Sequence, residues 1–199
     1  MLIDSTARRA LALFAQLLDY PSSGLSEVAH ECATIVAEYD REAAELVTEF
    51  GKFVEATPPG QLEEIYTGVF ELNAAFYPYV GYHLFGETYK RSVFLLELKQ
   101  RYAANGFDGG SELADHVAVL LRFISTCDDA ALSDELVCDA LVPALDKICG
   151  KEENDLAEGD AVIQSRGRTA YQRLLRALKL AASSLVSHPA QLQPVLAKL

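Results

Sequence analysis

The residues able to do chemistry in this chain are few, and their spacing limits what they can do together. The four histidines are His30, His83, His116 and His188, and no two stand at the three- or four-residue spacing that sets two imidazoles on one helical face. Glu112 and His116 do stand four apart, and Asp115 directly precedes His116. Neighbours on a helix point about 100° apart, so Asp115 and His116 are poorly placed to act on one atom. A di-iron centre between helices needs Glu-x-x-His twice, a pair this chain does not supply. The cysteines, Cys32, Cys127, Cys138 and Cys149, form no C-x-x-C, the usual zinc or dithiol spacing. Each reads as a small buried apolar side chain in a reducing compartment, with Cys138 and Cys149 on nearly one side of a continuous helix.

Nucleotide-binding motifs are also missing: the chain contains no G-x-x-x-x-G-K-[ST] and no G-x-G-x-x-G after a strand. There is no G-x-S-x-G elbow. The expectation is a binding protein with no catalytic residue, no metal site and no cofactor. A metal-dependent helical enzyme built on Glu112, Asp115 and His116 is the rival from a different class.

The elements that must position these residues are helices. Asp4 or Ser5 can cap a first helix with Leu11, Phe14, Leu17 and Leu18 on one face, ended by Pro21. Glu27 to Val54 reads as two helical pieces, acidic outside, and "TPPG" at 57–60 as a break. Leu62 to Phe70 forms a short helix weakened at its end by Gly68. Tyr89 to Tyr102 is apolar on most sides and reads as a central, buried helix. After the loop "NGFDGGS", Ser111 can cap a helix carrying Leu113, Val117, Leu120, Leu121 and Ile124. Ser133 can cap the next, striped with Val137, Leu141, Ala144 and Ile148 and kinked by Pro143. An acidic linker at 150–160 precedes a basic helix near 162–186 with Tyr171, Leu174, Leu175, Leu178 and Leu185 inward, stopped by "SHPAQLQP". No alternating strand runs with hairpin turns appear. The fold class is all-α, one helical bundle of roughly seven to nine helices over residues 1–199.

Charge bounds the partners. The formal net charge is −12, so nucleic acid, which needs a basic face, is not the expected ligand. All 29 acidic residues lie in 1–160; beyond them stand only Arg166, Arg168, Arg173, Arg176, Lys179 and Lys198. An acidic body can steer a basic partner segment. No apolar run approaches the roughly 18–20 residues that span a bilayer, so stable membrane insertion is not expected. The start "STARRALALFAQLL" carries an Arg8–Arg9 pair, but Gln16 and Asp19 interrupt the apolar stretch and no small-residue cleavage site follows. It reads as an amphipathic helix rather than a twin-arginine leader, which implies a cytoplasmic protein.

The stretch "FYPYVGYHLFGETYKRS", 76–92, stands apart. It packs four tyrosines and two phenylalanines around Pro78, Gly81 and Gly86. Aromatic rings supply contact area at low entropic cost, which suits a peptide groove. Phe76, Leu84 and Phe85 are equally at home in a core, whereas Tyr77, Tyr79, Tyr82 and Tyr89 carry hydroxyls that want partners.

Four segments in order carry a family resemblance: "LLDYP" (17–21), "LEEIYTGVFEL" (62–72), "PYVGYHLFGETYKRSVFLLELKQRYAANGF" (78–107) and "ELADHVAVLLRFIS" (112–125). They resemble the cytoplasmic assembly chaperones of molybdoenzymes, the NarJ/TorD/DmsD group, and most of all the nitrate reductase branch. Val69 stands where that family has Leu, Ala114 where it has Pro before Asp-His, and Val80-Gly81 where the trimethylamine-oxide branch has Glu-Ser. The resemblance implies an all-helical chaperone that binds the N-terminal segment of an apo catalytic subunit, often a twin-arginine leader or its remnant, until molybdenum cofactor is inserted. It places Tyr66, Phe70, Tyr79, Tyr82, Phe85, Glu87, Asp115 and His116 in the client-binding set. Asp115 would hold the first turn of a helix and leave His116 presented at a rim; the alternative gives Asp115 a capping role and makes His116 a packed ring with no client contact. The expected state is a monomer, with exchange of the last helix between two copies as the alternative. A helical scaffold using the basic last helix to hold an acidic partner is the second rival.

Overall fold

Three helices begin at an aspartate whose carboxylate accepts the amide hydrogen three residues on. Asp4 receives Ala7 N–H at 2.8 Å, Asp40 receives Ala43 at 2.9 Å and Asp129 receives Leu132 at 3.0 Å. These caps start α1 (Ser5–Leu17), α3 (Arg41–Glu55) and α8 (Ala130–Glu135). The computed structural model describes residues 4–71, 76–150 and 162–185. The remaining helices are α2 (Leu25–Val36), α4 (Pro59–Phe70), α5 (Val80–Phe85), α6 (Tyr89–Ala104), α7 (Val117–Thr126), α9 (Val142–Cys149) and α10 (Val162–Leu185). A π-helical turn, Leu136–Leu141, joins α8 to α9. Counting that bent rod once, the described residues form nine helices and no strand, an all-α fold.

α7 is the central element. Val117 to Leu121, Phe123 and Ile124 are all buried, and Arg122 is its one charged residue. α1 packs along it and α2 pairs with both α1 and α3. Arg8 donates its guanidinium N–H groups to the carbonyls of Ile124 and Cys127, capping the end of α7, while Arg9 pairs with Glu31 at 2.7 Å. The Arg8–Arg9 pair is thus part of a folded helix.

α10 lies across α3, α4 and α9. Its buried ridge is Tyr171, Leu174, Leu175 and Leu178. Its cations meet acids of the body: Arg173 with Glu49 at 2.7 Å, Arg176 with Glu42 at 2.7 Å and Lys179 with Asp146 at 2.6 Å. Exposed pairs of this kind contribute about 0–1 kcal/mol each, so the ridge holds the helix and the pairs set its register. The α4–α10 crossing is tight. A Cβ on Gly167 would sit 2.2 Å from Ile65, and one on Gly68 2.7 Å from Gln164. Gly68 therefore has a packing use beyond weakening a helix end.

Several local expectations are corrected. α6 is not the central helix: it buries Phe94, Leu98 and Tyr102 only, and Leu96 is 57% exposed. Lys90, Glu97, Lys99 and Arg101 keep the rest of it near solvent, whereas α7 has no such burden. Ser111 and Ser133 cap nothing; His116 caps α7, and Ser133 lies buried inside α8 under the Asp129 cap. Pro59 and Gly60 belong to the first turn of α4, because a proline at the start forfeits no helical hydrogen bond. Pro143 sits in the first turn of α9, directly after the π-helical turn, where an expected kink has its place. Cys32 and Cys127 are buried, but Cys138 and Cys149 are only half-buried. Linker residues 151–160 and the "SHPAQLQP" stop lie outside the described residues.

Candidate functional site

The aromatic stretch is fixed by backbone before any side chain acts. Val80 N–H donates to the Asp115 carbonyl and Val117 N–H to the Pro78 carbonyl, each at 2.8 Å. This is an isolated antiparallel bridge with Tyr79 opposite His116. It pulls residues 112–116 out of helical conformation, so Glu112 and His116 do not share a helix face. α5 follows directly, and its first turn lies on Asp115. A Cβ on Gly81 would come 2.8 Å from Asp115 Oδ2 and 2.9 Å from Phe94. Gly86 ends α5 at φ 65°, ψ −164°, a region open only to glycine.

Arg91, from the first turn of α6, closes the arrangement. Its Nε donates to Asp115 Oδ2 at 2.9 Å and its Nη2 to Oδ1 at 3.4 Å. Asp115 is fully buried, and the Arg91 side chain is 17% exposed. The guanidinium lies 5.3 Å from the Tyr79 ring centre and 6.0 Å from that of Tyr82. Tyr82 packs on Tyr77 at 4.8 Å, and His83 Nε2 lies 2.7 Å from the Tyr77 carbonyl. Tyr102 donates its hydroxyl to the Ala114 carbonyl at 2.7 Å, bracing the same turn from below.

His116 is 5% exposed and meets Tyr79 edge-on at 5.7 Å. Its Nδ1 accepts the Ala118 N–H at 3.2 Å, which caps α7 and assigns the proton of the neutral ring to Nε2. Burial lowers its pKa from the usual histidine range; Glu112, Asp19 and Asp115 act in the opposite sense. Of the two readings of this histidine, presentation at a rim is corrected and the packed ring is the one found, although the cap is made by His116 and not by Asp115. Asp115 serves Arg91 rather than the helix start, because its carboxylate points back toward α6. Of the three groups that a metal-dependent reading would use, Asp115 and His116 already hold protein partners.

The other expected site residues divide. Tyr66 and Phe70 are buried in an aromatic cluster with Tyr171, at 6.0 Å and 5.0 Å from its ring. Tyr66 reaches outward only through exposed Tyr20, edge-on at 5.5 Å, whose hydroxyl donates to Glu63 at 3.3 Å. Phe85 turns to Phe94 at 5.5 Å, away from Tyr79. Glu87 is exposed beyond α5. The structure thus gathers Tyr79, Tyr82, Asp115 and His116, sets Tyr66 and Phe70 in the core, and leaves Phe85 and Glu87 apart.

Carboxylates surround the gathered set. Burial raises the Tyr79 pKa, and the charges of Glu112, Asp115 and Glu71 raise it further against Arg91. Burial likewise raises Tyr66, with Asp19, Glu71 and Glu112 adding to it. Around them Tyr20, Tyr77 and Leu113 are 51%, 41% and 42% exposed. The result is an aromatic surface with an acidic border, suited to an apolar segment carrying positive charge. Sequence reasoning missed Arg91 and Tyr20. The only signal for Arg91 was a cation next to an aromatic run.

Among the described residues no group of three or more His, Cys, Asp or Glu is placed to hold a metal ion. No helix among them is long and apolar enough to cross a membrane.

Comparison with known proteins gives three findings. No curated protein sequence matches this chain at a significant level. A crystal structure of a candidate redox enzyme maturation protein from Archaeoglobus fulgidus is similar, with TM-score 0.49 and 21% identity over 84% of this chain and 93% of that one. The family model described as nitrate reductase delta subunit matches residues 36–150. That match takes in more than half of the chain, from the end of α2 to the end of α9 with the whole Tyr79–His116 bridge inside it, and the chain belongs to the nitrate reductase delta subunit family.

Proposed function

We propose that this chain is a cytoplasmic maturation chaperone for a molybdenum oxidoreductase. In this reading it binds the N-terminal segment of the apo catalytic subunit at the surface around Tyr79 and Tyr82 and holds the subunit until cofactor is inserted. Family membership supports the maturation role. The observation that carries the binding site is the backbone bridge between Tyr79 and His116, beside which the half-buried Tyr79 and Tyr82 rings rest against Arg91 and its buried partner Asp115. A surface that is rigid before binding loses little entropy on binding. The acidic border of Asp19, Glu63, Glu71 and Glu112 favours a segment bearing arginine or lysine, as a twin-arginine leader or its remnant does. The chaperone acts as a monomer. The scaffold reading has less support, since Arg173, Arg176 and Lys179 are already paired with acids of the same chain.

The test is titration with a synthetic peptide of the catalytic subunit's N-terminus, followed by fluorescence anisotropy. Affinity of about micromolar, roughly −8 kcal/mol, is expected. Replacing Tyr79 and Tyr82 together by Ala should weaken it at least tenfold, about 1.4 kcal/mol, in a protein whose circular dichroism is unchanged. Unchanged affinity would remove the site from this stretch.

A further inference from the structure

α6 carries two apolar stripes on opposite sides. Phe94, Leu98 and Tyr102, four apart, are buried. Tyr89, Val93 and Leu96 follow the same helical period on the reverse side. Tyr89 is 82% exposed and Leu96 57%, and Val93 is half-buried. Arg91 belongs to the inward side, since it reaches Asp115, so the outward stripe faces away from the Tyr79–His116 surface. One exposed leucine is ordinary. Three apolar residues at i, i+4 and i+7, opposite the face that already anchors the helix, add nothing to the core. This second stripe is what makes the helix read as buried from sequence.

The charges beside the stripe say what covers it. Lys90 and Lys99 flank it, both exposed, and neither forms an ion pair among the described residues; Glu97, on the Lys90 edge, is half-buried beside Arg101 and Glu135. α10 differs: three of its cations are neutralised within the chain. On a body of net charge −12, the outward face of α6 offers uncommitted positive charge next to exposed apolar surface.

We infer that this face docks an acidic amphipathic helix of a partner protein. Its apolar ridge packs on Tyr89, Val93 and Leu96, and its carboxylates meet Lys90 and Lys99. The acidic body repels such a partner elsewhere, so the two lysines also direct it to this face. An anionic membrane fits worse, because such surfaces are read by clusters of about four to eight cations. This inference goes beyond the function proposed above and does not rest on it.

The test titrates the isotope-labelled full chain with a synthetic helix of roughly 18 residues, leucines at i, i+3, i+4 and i+7 and glutamates elsewhere. A twin peptide has lysine for every glutamate. Amide shifts confined to residues 89–100 are expected for the acidic peptide, and none for its twin. The double variant Lys90→Glu, Lys99→Glu, and separately Leu96→Ser, should each weaken binding about tenfold or more. Their melting temperatures should match wild type, because all three side chains are exposed. Shifts gathered at Tyr79 and Tyr82 instead, equal affinity for the lysine twin, or a sedimentation dimer abolished by Leu96→Ser would each overturn the inference.

Discussion

Arg91 and Asp115, 24 residues apart, meet at 2.9 Å with the carboxylate wholly out of water. The pair joins α6 to the turn before α7, and the Tyr79 and Tyr82 rings rest against its cation. A buried charge stripped of its partner is costly, about 3–5 kcal/mol. Arg91→Ala should therefore lower unfolding stability by about 3 kcal/mol in urea titrations. Adding Asp115→Asn to Arg91→Ala should recover part of the loss, since the orphaned charge goes with it. A double variant no more stable than the single one would show that the pair matters through packing alone.

Glycines separate by what a methyl group would meet. Gly81→Ala and Gly167→Ala drive a Cβ into Phe94 and Ile65 respectively, and each should cost about 1–3 kcal/mol by overpacking. At Gly60 nothing lies within 4 Å, in the first turn of α4. Gly60→Ala should leave stability unchanged or raise it by about 0.4–1 kcal/mol. Thermal melts of the three variants side by side check the contrast.

His116 makes stability depend on pH with a definite sign. Burial holds its folded-state pKa below about 6.5, the unfolded value. Below that value the unfolded chain takes up the proton more readily than the folded one, so this contribution is complete above pH 6.5 and is lost as pH falls toward the folded pKa. His116→Asn keeps an oxygen able to accept the Ala118 N–H but cannot titrate. Its stability loss between pH 7.5 and 5.5 should be smaller than wild type's. His116→Ala should lower stability at neutral pH by about 1 kcal/mol through the lost cap. Urea midpoints at the two pH values decide both points.

Tyr171 is fully buried, and its hydroxyl has no hydrogen-bond partner among the described residues. An unpaired buried hydroxyl costs about 1–3 kcal/mol. Tyr171→Phe should thus raise the melting temperature, while Tyr171→Ala should lose about 3–5 kcal/mol by opening the cluster of Phe50, Tyr66 and Phe70. Tyr66→Phe should destabilise slightly, since the Tyr66 hydroxyl donates to the Leu18 carbonyl.

If the acidic border steers the client peptide, added salt should slow association more than it hastens release. Stopped-flow traces at low and high ionic strength measure both rates. Glu63→Gln with Glu112→Gln should flatten the salt dependence of association and leave the dissociation rate nearly unchanged.

The helices are legible in the sequence because their apolar stripes keep a 3.6-residue period and their ends carry Asp, Pro and Gly. Asp4 at α1 and the Tyr171 ridge of α10 follow from that local logic. The starts near Ser111 and Ser133 do not. A serine supplies a cap only where the backbone is free to turn into a helix, and residues 112–116 instead make a non-helical turn, tied at its end by the bridge to residues 78–80, before α7 begins at Val117. α6 misleads for the reason that makes it of interest: apolar residues on two faces read as burial when only one face is covered. The candidate site was half legible. The aromatic run and the Asp-His pair stand out by type, but Arg91 belongs to them only through a contact that no periodicity encodes.

The α10 ion pairs have a consequence for biosynthesis. Arg176 meets Glu42 across 134 residues of chain, and Tyr171 completes a cluster begun by Phe50, Tyr66 and Phe70. Contacts this distant in sequence form late. While the ribosome is still extending the chain toward α10, that cluster lies uncovered and the acids of α3 lack their cations. The chain thus spends most of its own synthesis with that surface unfinished, until α10 docks.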